Sequence, residues 1–67
     1  MRKYRYVTTE KSLPVARRVM AEYNVIPSDG TDYVQVTIGD SHAIVPESRF
    51  DEFGKALRLA IREFHNG

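Results

Sequence analysis

Three consecutive residues, Asp40, Ser41 and His42, are of the types that make up a hydrolytic triad. In such a triad a carboxylate orients a histidine, and the histidine takes the proton of a serine nucleophile. The three residues lie at the tip of a predicted hairpin, where neighbouring side chains point to opposite faces of the sheet. They therefore cannot form the relay, and we predict no catalytic residue there.

Other reactive side chains are few. Asp51 and Glu52 are adjacent carboxylates, but neighbouring helix positions diverge by about 100° and acids are favoured in a first helical turn for their own sake. The chain has two histidines, no cysteine and four glycines, none of them in a phosphate-binding loop. We predict that the protein is not an enzyme and that it holds no metal ion and no cofactor.

The opening residues, MRKYRY, suggest a contact surface instead. Residues 1–24 carry six Lys or Arg against two acids, whereas residues 25–53 carry six acids against one Arg. Tyrosines that alternate with cations on a strand are suited to stacking on bases and neutralising phosphates. Our first hypothesis is a regulatory binding module for nucleic acid, or for a protein bound to nucleic acid, with these contact residues: Arg2, Lys3, Tyr4, Arg5, Tyr6, Arg17 and Arg18.

The acidic segment supports an alternative hypothesis, an inhibitor or adaptor that binds a basic protein and mimics phosphate. Complementary charge would speed the encounter with such a partner. The candidate residues are Asp29, Asp32, Asp40, Glu47, Asp51 and Glu52. An exposed strand edge would also permit a homodimer under either hypothesis.

Length and composition limit the class of protein. A chain of 67 residues forms one domain, residues 1–67, with little stability to spare. The absence of cysteine excludes a disulfide scaffold and favours a cytoplasmic setting. No apolar run approaches the roughly 20 residues that span a bilayer, so we expect neither a membrane anchor nor a signal peptide.

The elements that must position these residues follow from hydrophobic periodicity. Aromatic and β-branched residues predict a strand over residues 2–8, whose tyrosines lie against helices. Apolar residues spaced by three and four predict a helix from Ser12 to Tyr23, capped by Thr9 or Ser12 and ended by Asn24 in a left-handed conformation. The segment DYVQVTIGDSHAIVP predicts a hairpin; a type II′ turn at Gly39 is preferred over a three-residue loop.

The last segment, PESRFDEFGKALRLAIREF, has the strongest helical period, with a start at Pro46 or a cap at Ser48. Gly54 on the flank of its apolar side predicts a close helix crossing. A basic ridge beside that apolar side is interpreted as a solvated face: Lys55, Arg58, Arg62 and His65.

The predicted fold class is α+β: a two-layer sandwich in β-α-β-β-α order, with a three-stranded sheet and both helices on one face.

Overall fold

The predicted order of elements is confirmed by the computed structural model, which describes all residues, 1–67. Two short 3₁₀ turns, Glu10–Ser12 and Glu47–Arg49, precede the two helices. The regular elements are β1 (Arg2–Arg5), α1 (Leu13–Tyr23), β2 (Tyr33–Ile38), β3 (Ser41–Pro46) and α2 (Phe50–Asn66).

The sheet is mixed, with the order β1-β2-β3. β1 runs parallel to β2, with Tyr4 beside Val36, and β2 pairs with β3 as an antiparallel hairpin. β1 is shorter than the predicted strand over residues 2–8. After Tyr6, whose N–H donates to the carbonyl of Thr37 at 3.0 Å, β2 has one residue left, Ile38, so the continuation of β1 has nothing to pair with.

The hairpin has the preferred register. Ile38 pairs with Ser41, and Gly39 adopts a φ of +60° while no other residue type has a positive φ. A positive φ at the first central position alone is what a type II′ turn requires. Ala43 and Val45 are consequently buried on the core side.

The two helices pack antiparallel on one face of the sheet. The end of α1 meets the start of α2 through Tyr23 and Phe53, whose ring centroids are 5.5 Å apart, and the start of α1 meets the end of α2 through Ser12 and His65. Neither helix has the length and apolar character needed to cross a membrane. The core consists of buried residues from both helices, β2 and β3: Ala16, Val19, Met20, Tyr23, Val34, Val36, Ile38, Ala43, Val45, Phe53 and Leu57.

Two predicted helix boundaries are wrong. Asn24 is extended, with φ −68° and ψ 134°, because its side-chain oxygen accepts the N–H of Ile44 at 2.8 Å and draws the chain along β3. Pro46 ends β3, and neither it nor Ser48 caps α2, which begins at Phe50 after the 3₁₀ turn with no side-chain cap. At α1, Thr9 accepts the N–H of Ser12, as one of the two predicted caps.

The two edges of the sheet differ. The outer edge of β3 is partly covered, because the N–H of Val25 donates to the carbonyl of Ile44 at 2.9 Å. β1 is the other edge strand; all its residues are exposed and no segment pairs with its outer side. Since Tyr6 bonds toward β2, strand alternation turns the backbone N–H and C=O of Lys3 and Arg5 toward this free edge.

Candidate nucleic-acid interface

The alternation of β1 divides the predicted nucleic-acid residues between two faces. Tyr4 packs edge-on against Phe50 of α2, with 5.2 Å between ring centroids, and Tyr6 packs against the core. The tyrosines therefore lie against a helix, as predicted. Lys3 and Arg5 point to the opposite side, onto the face of the sheet that carries no helix.

This uncovered side, called the open face below, carries cations without carboxylates. Register places Lys3 beside Gln35 and Arg5 beside Thr37. No Asp or Glu stands on the three strands at this face, and its middle consists of these residues: Lys3, Arg5, Gln35, Thr37, His42 and Ile44. The open face therefore combines positive charge with hydrogen-bonding side chains at the free edge of β1.

Arg17 and Arg18 lie on α1, and Arg17 has a partner on the sheet. Arg17 donates from Nε to Oγ of Ser41, at the start of β3, across a distance of 3.0 Å. Ser41 is on the helix side of the sheet, and β3 is the edge strand opposite β1. Arg17 thus contacts the edge strand opposite β1 and is not joined to the cations of β1.

Arg2 is engaged within the molecule. Its guanidinium lies 5.0 Å from the ring centre of Phe50, and Nη1 is 3.3 Å from Oε1 of Glu47. A cation from the first hypothesis is thereby paired with an acid from the alternative one. Surface ion pairs of this kind contribute about 0–1 kcal/mol, but they do neutralise charge locally.

The six acidic residues of the alternative hypothesis do not lie together on one surface. Asp40 lies at the hairpin tip, separated from the others by the length of a six-residue strand, about 17 Å. Glu47 and Glu52 are in ion pairs, with Arg2 and Arg49 respectively. The remaining acids are exposed and form no salt bridge: Asp29, Asp32 and Asp51.

The triad residues are not arranged for catalysis. His42 Nδ1 is 3.0 Å from the hydroxyl of Thr37, and the hydroxyl of Ser41 accepts a hydrogen bond from Arg17 on the other side of the sheet. No cluster of three or more His, Asp or Glu side chains is placed to bind a metal ion.

A groove between β1 and α2 was not foreseen. It holds about 170 Å³, with the rings of Tyr4, Tyr6 and Phe50 in its walls and the cations Lys55 and Arg58 at its rim. The sequence feature that could have indicated this groove is a glycine, Gly54, beside the basic ridge of α2. The predicted helix crossing at Gly54 is wrong, because a Cβ there would meet only the side chain of Arg58, at 3.3 Å.

A polar cluster joins the end of α1 to the start of α2. The hydroxyl of Tyr23 donates to Glu52 at 2.8 Å, Arg49 donates to the same carboxylate oxygen at 2.8 Å, and the Arg49 guanidinium lies 4.7 Å from the Tyr23 ring centre. The hydrogen bonds from Arg49 and Tyr23 lower the pKa of Glu52. The hydrogen bond to Glu52 in turn raises the pKa of Tyr23.

The cluster predicts a pH dependence of stability. The pKa of Glu52 is lower in the folded chain than its ordinary value of 4.5. The ionised carboxylate therefore stabilises the fold fully above pH 4.5, and this stabilisation is lost as the pH falls through the folded pKa. Urea unfolding, measured from neutral pH into the acid range, should give Glu52→Gln a lower free energy of unfolding than the native protein at neutral pH. The two free energies should converge in acid. Glu63→Gln, an exposed position in the same helix, is the control, and a difference that stays constant with pH would contradict the role of the cluster.

Comparison with protein-family models, with curated protein sequences and with solved structures finds no match to this chain.

Proposed function

We propose that this protein is a small non-enzymatic regulatory module that binds single-stranded nucleic acid along β1. The observation that carries the proposal is the placement of Lys3 and Arg5 on an open face whose strands bear no carboxylate. The backbone groups of both residues also face the free edge, where an N–H is a further donor to phosphate. The cysteine-free composition suits a reducing compartment, and we place the module in the cytoplasm.

The chemistry of the surface favours single strands. An open sheet edge beside aromatic rings can follow a flexible backbone and stack on bases, a mode that needs no sequence reading. On α1, the guanidinium of Arg17 donates to the hydroxyl of Ser41 on the helix side of the sheet, away from the face that carries Lys3 and Arg5. Gln35 and Thr37 add hydrogen-bonding groups next to the two cations of β1.

The double variant Lys3→Ala/Arg5→Ala tests the proposal. We expect its affinity for a labelled single-stranded oligonucleotide to fall about tenfold at low salt. Each phosphate contact to a single strand releases about 0.7 counterion, so the slope of log affinity against log salt should become shallower by about 1.4. Fluorescence anisotropy across a salt series measures both quantities.

The matched control is Arg17→Ala/Arg18→Ala, which removes the same charge from α1. A specific surface on β1 predicts a much smaller loss for this control. Equal losses in the two variants would mean that net charge, and not the β1 surface, governs binding. Failure of the native protein to bind any oligonucleotide at low salt would overturn the proposed function.

A second candidate function is capture of a basic protein through the acidic side chains. It is favoured by the exposure of Asp29, Asp32 and Asp51 without a salt-bridge partner. The pairing of Glu47 and Glu52 with arginines leaves it a smaller surface than the sequence suggested. It becomes the leading candidate if no nucleic acid binds, and a homodimer through the free edge of β1 is compatible with it.

A further inference from the structure

One residue that lines the groove between β1 and α2 has no side chain. Gly54 lies in its wall, between the turns that carry Phe50 and Arg58. A glycine inside a helix costs roughly 0.5–1 kcal/mol relative to alanine. A Cβ at this position would touch nothing but the flexible Arg58 side chain, so no close packing against another element compensates for that cost. The glycine instead forms part of the groove wall, together with the rings of Tyr4 and Phe50.

The size and lining of the groove define the ligand. Its volume of about 170 Å³ is close to that of an engineered cavity of about 150 Å³ that binds benzene, so it accommodates one aromatic ring. The aromatic part of its lining includes Tyr4, which is 40% exposed, and the half-buried Phe50. Two cations, Lys55 and Arg58, stand at the rim against one carboxylate, Asp51.

A ligand with an aromatic ring attached to an anion fits the aromatic lining and the two cations. The position of the groove indicates which ligand of this kind binds. Tyr4 of β1 lines the groove, and its neighbours in the strand, Lys3 and Arg5, lie on the opposite face of the sheet. A nucleic-acid strand that follows the edge would bring a phosphate to Lys3 or Arg5 and a neighbouring base to the groove. Base stacking on an aromatic side chain is strong enough to retain such a base.

We propose that the groove holds one unstacked base of a single-stranded nucleic acid, with Lys55 and Arg58 contacting the adjoining phosphate. This inference rests on the proposed function and adds to it a base-binding subsite made by α2. The proposed subsite adds α2 to the interface. The basic ridge of this helix was interpreted from the sequence as a solvated face.

The variant Gly54→Leu tests the subsite, because it fills the groove while replacing a residue of poor helix propensity. We expect its thermal unfolding midpoint to be equal to or above that of the native protein. Its affinity for a labelled single-stranded oligonucleotide should fall about tenfold, since the stacking of one base on an aromatic side chain is worth about 5- to 150-fold in affinity. Asn66→Leu, which adds the same side chain at an exposed position of the same helix, should bind normally.

A second measurement separates the subsite from the rest of the interface. An oligonucleotide whose central nucleotides are abasic should bind the native protein about tenfold more weakly than the intact one, but should bind Gly54→Leu no more weakly. Unchanged affinity of Gly54→Leu, with a large loss in Lys3→Ala/Arg5→Ala, would overturn the subsite and leave the proposed function standing. Absence of all nucleic-acid binding would overturn both.

A titration monitored by NMR identifies the occupant directly. Nucleoside monophosphates should shift the resonances of Tyr4, Phe50 and Arg58 in the native protein, and Gly54→Leu should abolish those shifts. Shifts of the same residues produced by a free aromatic amino acid but not by any nucleotide would overturn the proposal in favour of a peptide or small-molecule ligand.

Discussion

Replacing Phe53 by alanine should lower the free energy of unfolding by about 3–5 kcal/mol, the range for truncating a buried phenylalanine. The side chain is 1% exposed and packs edge-on against Tyr23 of the other helix. Aromatic pairs of this geometry contribute about 0.5–1.5 kcal/mol beyond the area they bury. A domain of 67 residues has a total stability of roughly 3–10 kcal/mol, so the variant should be largely unfolded or close to it.

Phe64→Ala is the matched control for this prediction. It makes the same substitution in the same helix, but Phe64 is 43% exposed and lies outside the buried core. Urea or thermal unfolding followed by circular dichroism compares the two variants. A loss at Phe53 no larger than the loss at Phe64 would contradict a core in which the two helices meet through Phe53.

Replacing Gly39 by valine should destabilise the fold by about 3 kcal/mol. Gly39 has a φ of +60°, and a non-glycine residue held at positive φ costs about 1–3 kcal/mol. A Cβ at this position would also lie 3.2 Å from Cδ2 of Leu13, so the Leu13 side chain at the start of α1 would have to move aside. The lower entropy of the unfolded chain offsets about 0.4–1 kcal/mol of this loss.

Gly30→Val separates the two causes. Gly30 has a φ of +81°, but a Cβ there meets no atom within 4 Å. The backbone strain is therefore similar, while the contact with α1 is missing. Unfolding midpoints should fall further for Gly39→Val than for Gly30→Val; equal shifts would show that the contact with Leu13 has no energetic weight.

Several features of the fold could be predicted because they depend on residues close together in the chain. The alternation of Val34, Val36 and Ile38 and the period of α2 report which side of each element is buried. The turn at Gly39 follows from the freedom of glycine at positive φ, and its register follows from the turn. Helix ends were harder to predict from the sequence, because they depend on distant residues. The side chain of Asn24, for example, accepts a hydrogen bond from the N–H of Ile44, twenty residues away.

The candidate site depended on contacts that sequence spacing does not contain. The residues of β1 were identified as a contact surface from their types, yet their division between two faces gives them different partners. Tyr4 joins a groove with α2, and Lys3 and Arg5 join the open face with β2. Arg17 appeared to belong with them by charge, but α1 lies beside β3.

The sequence by itself determined the elements, their order, the hairpin register and the class of the fold, because hydrophobic period and turn chemistry act over a few residues. Only the tertiary structure decided which charges meet. Arg2 and Glu47 stand 45 positions apart in the chain and 3.3 Å apart in space. The groove is likewise a product of packing, since it needs a strand from one end of the chain and a glycine in the last helix to face each other.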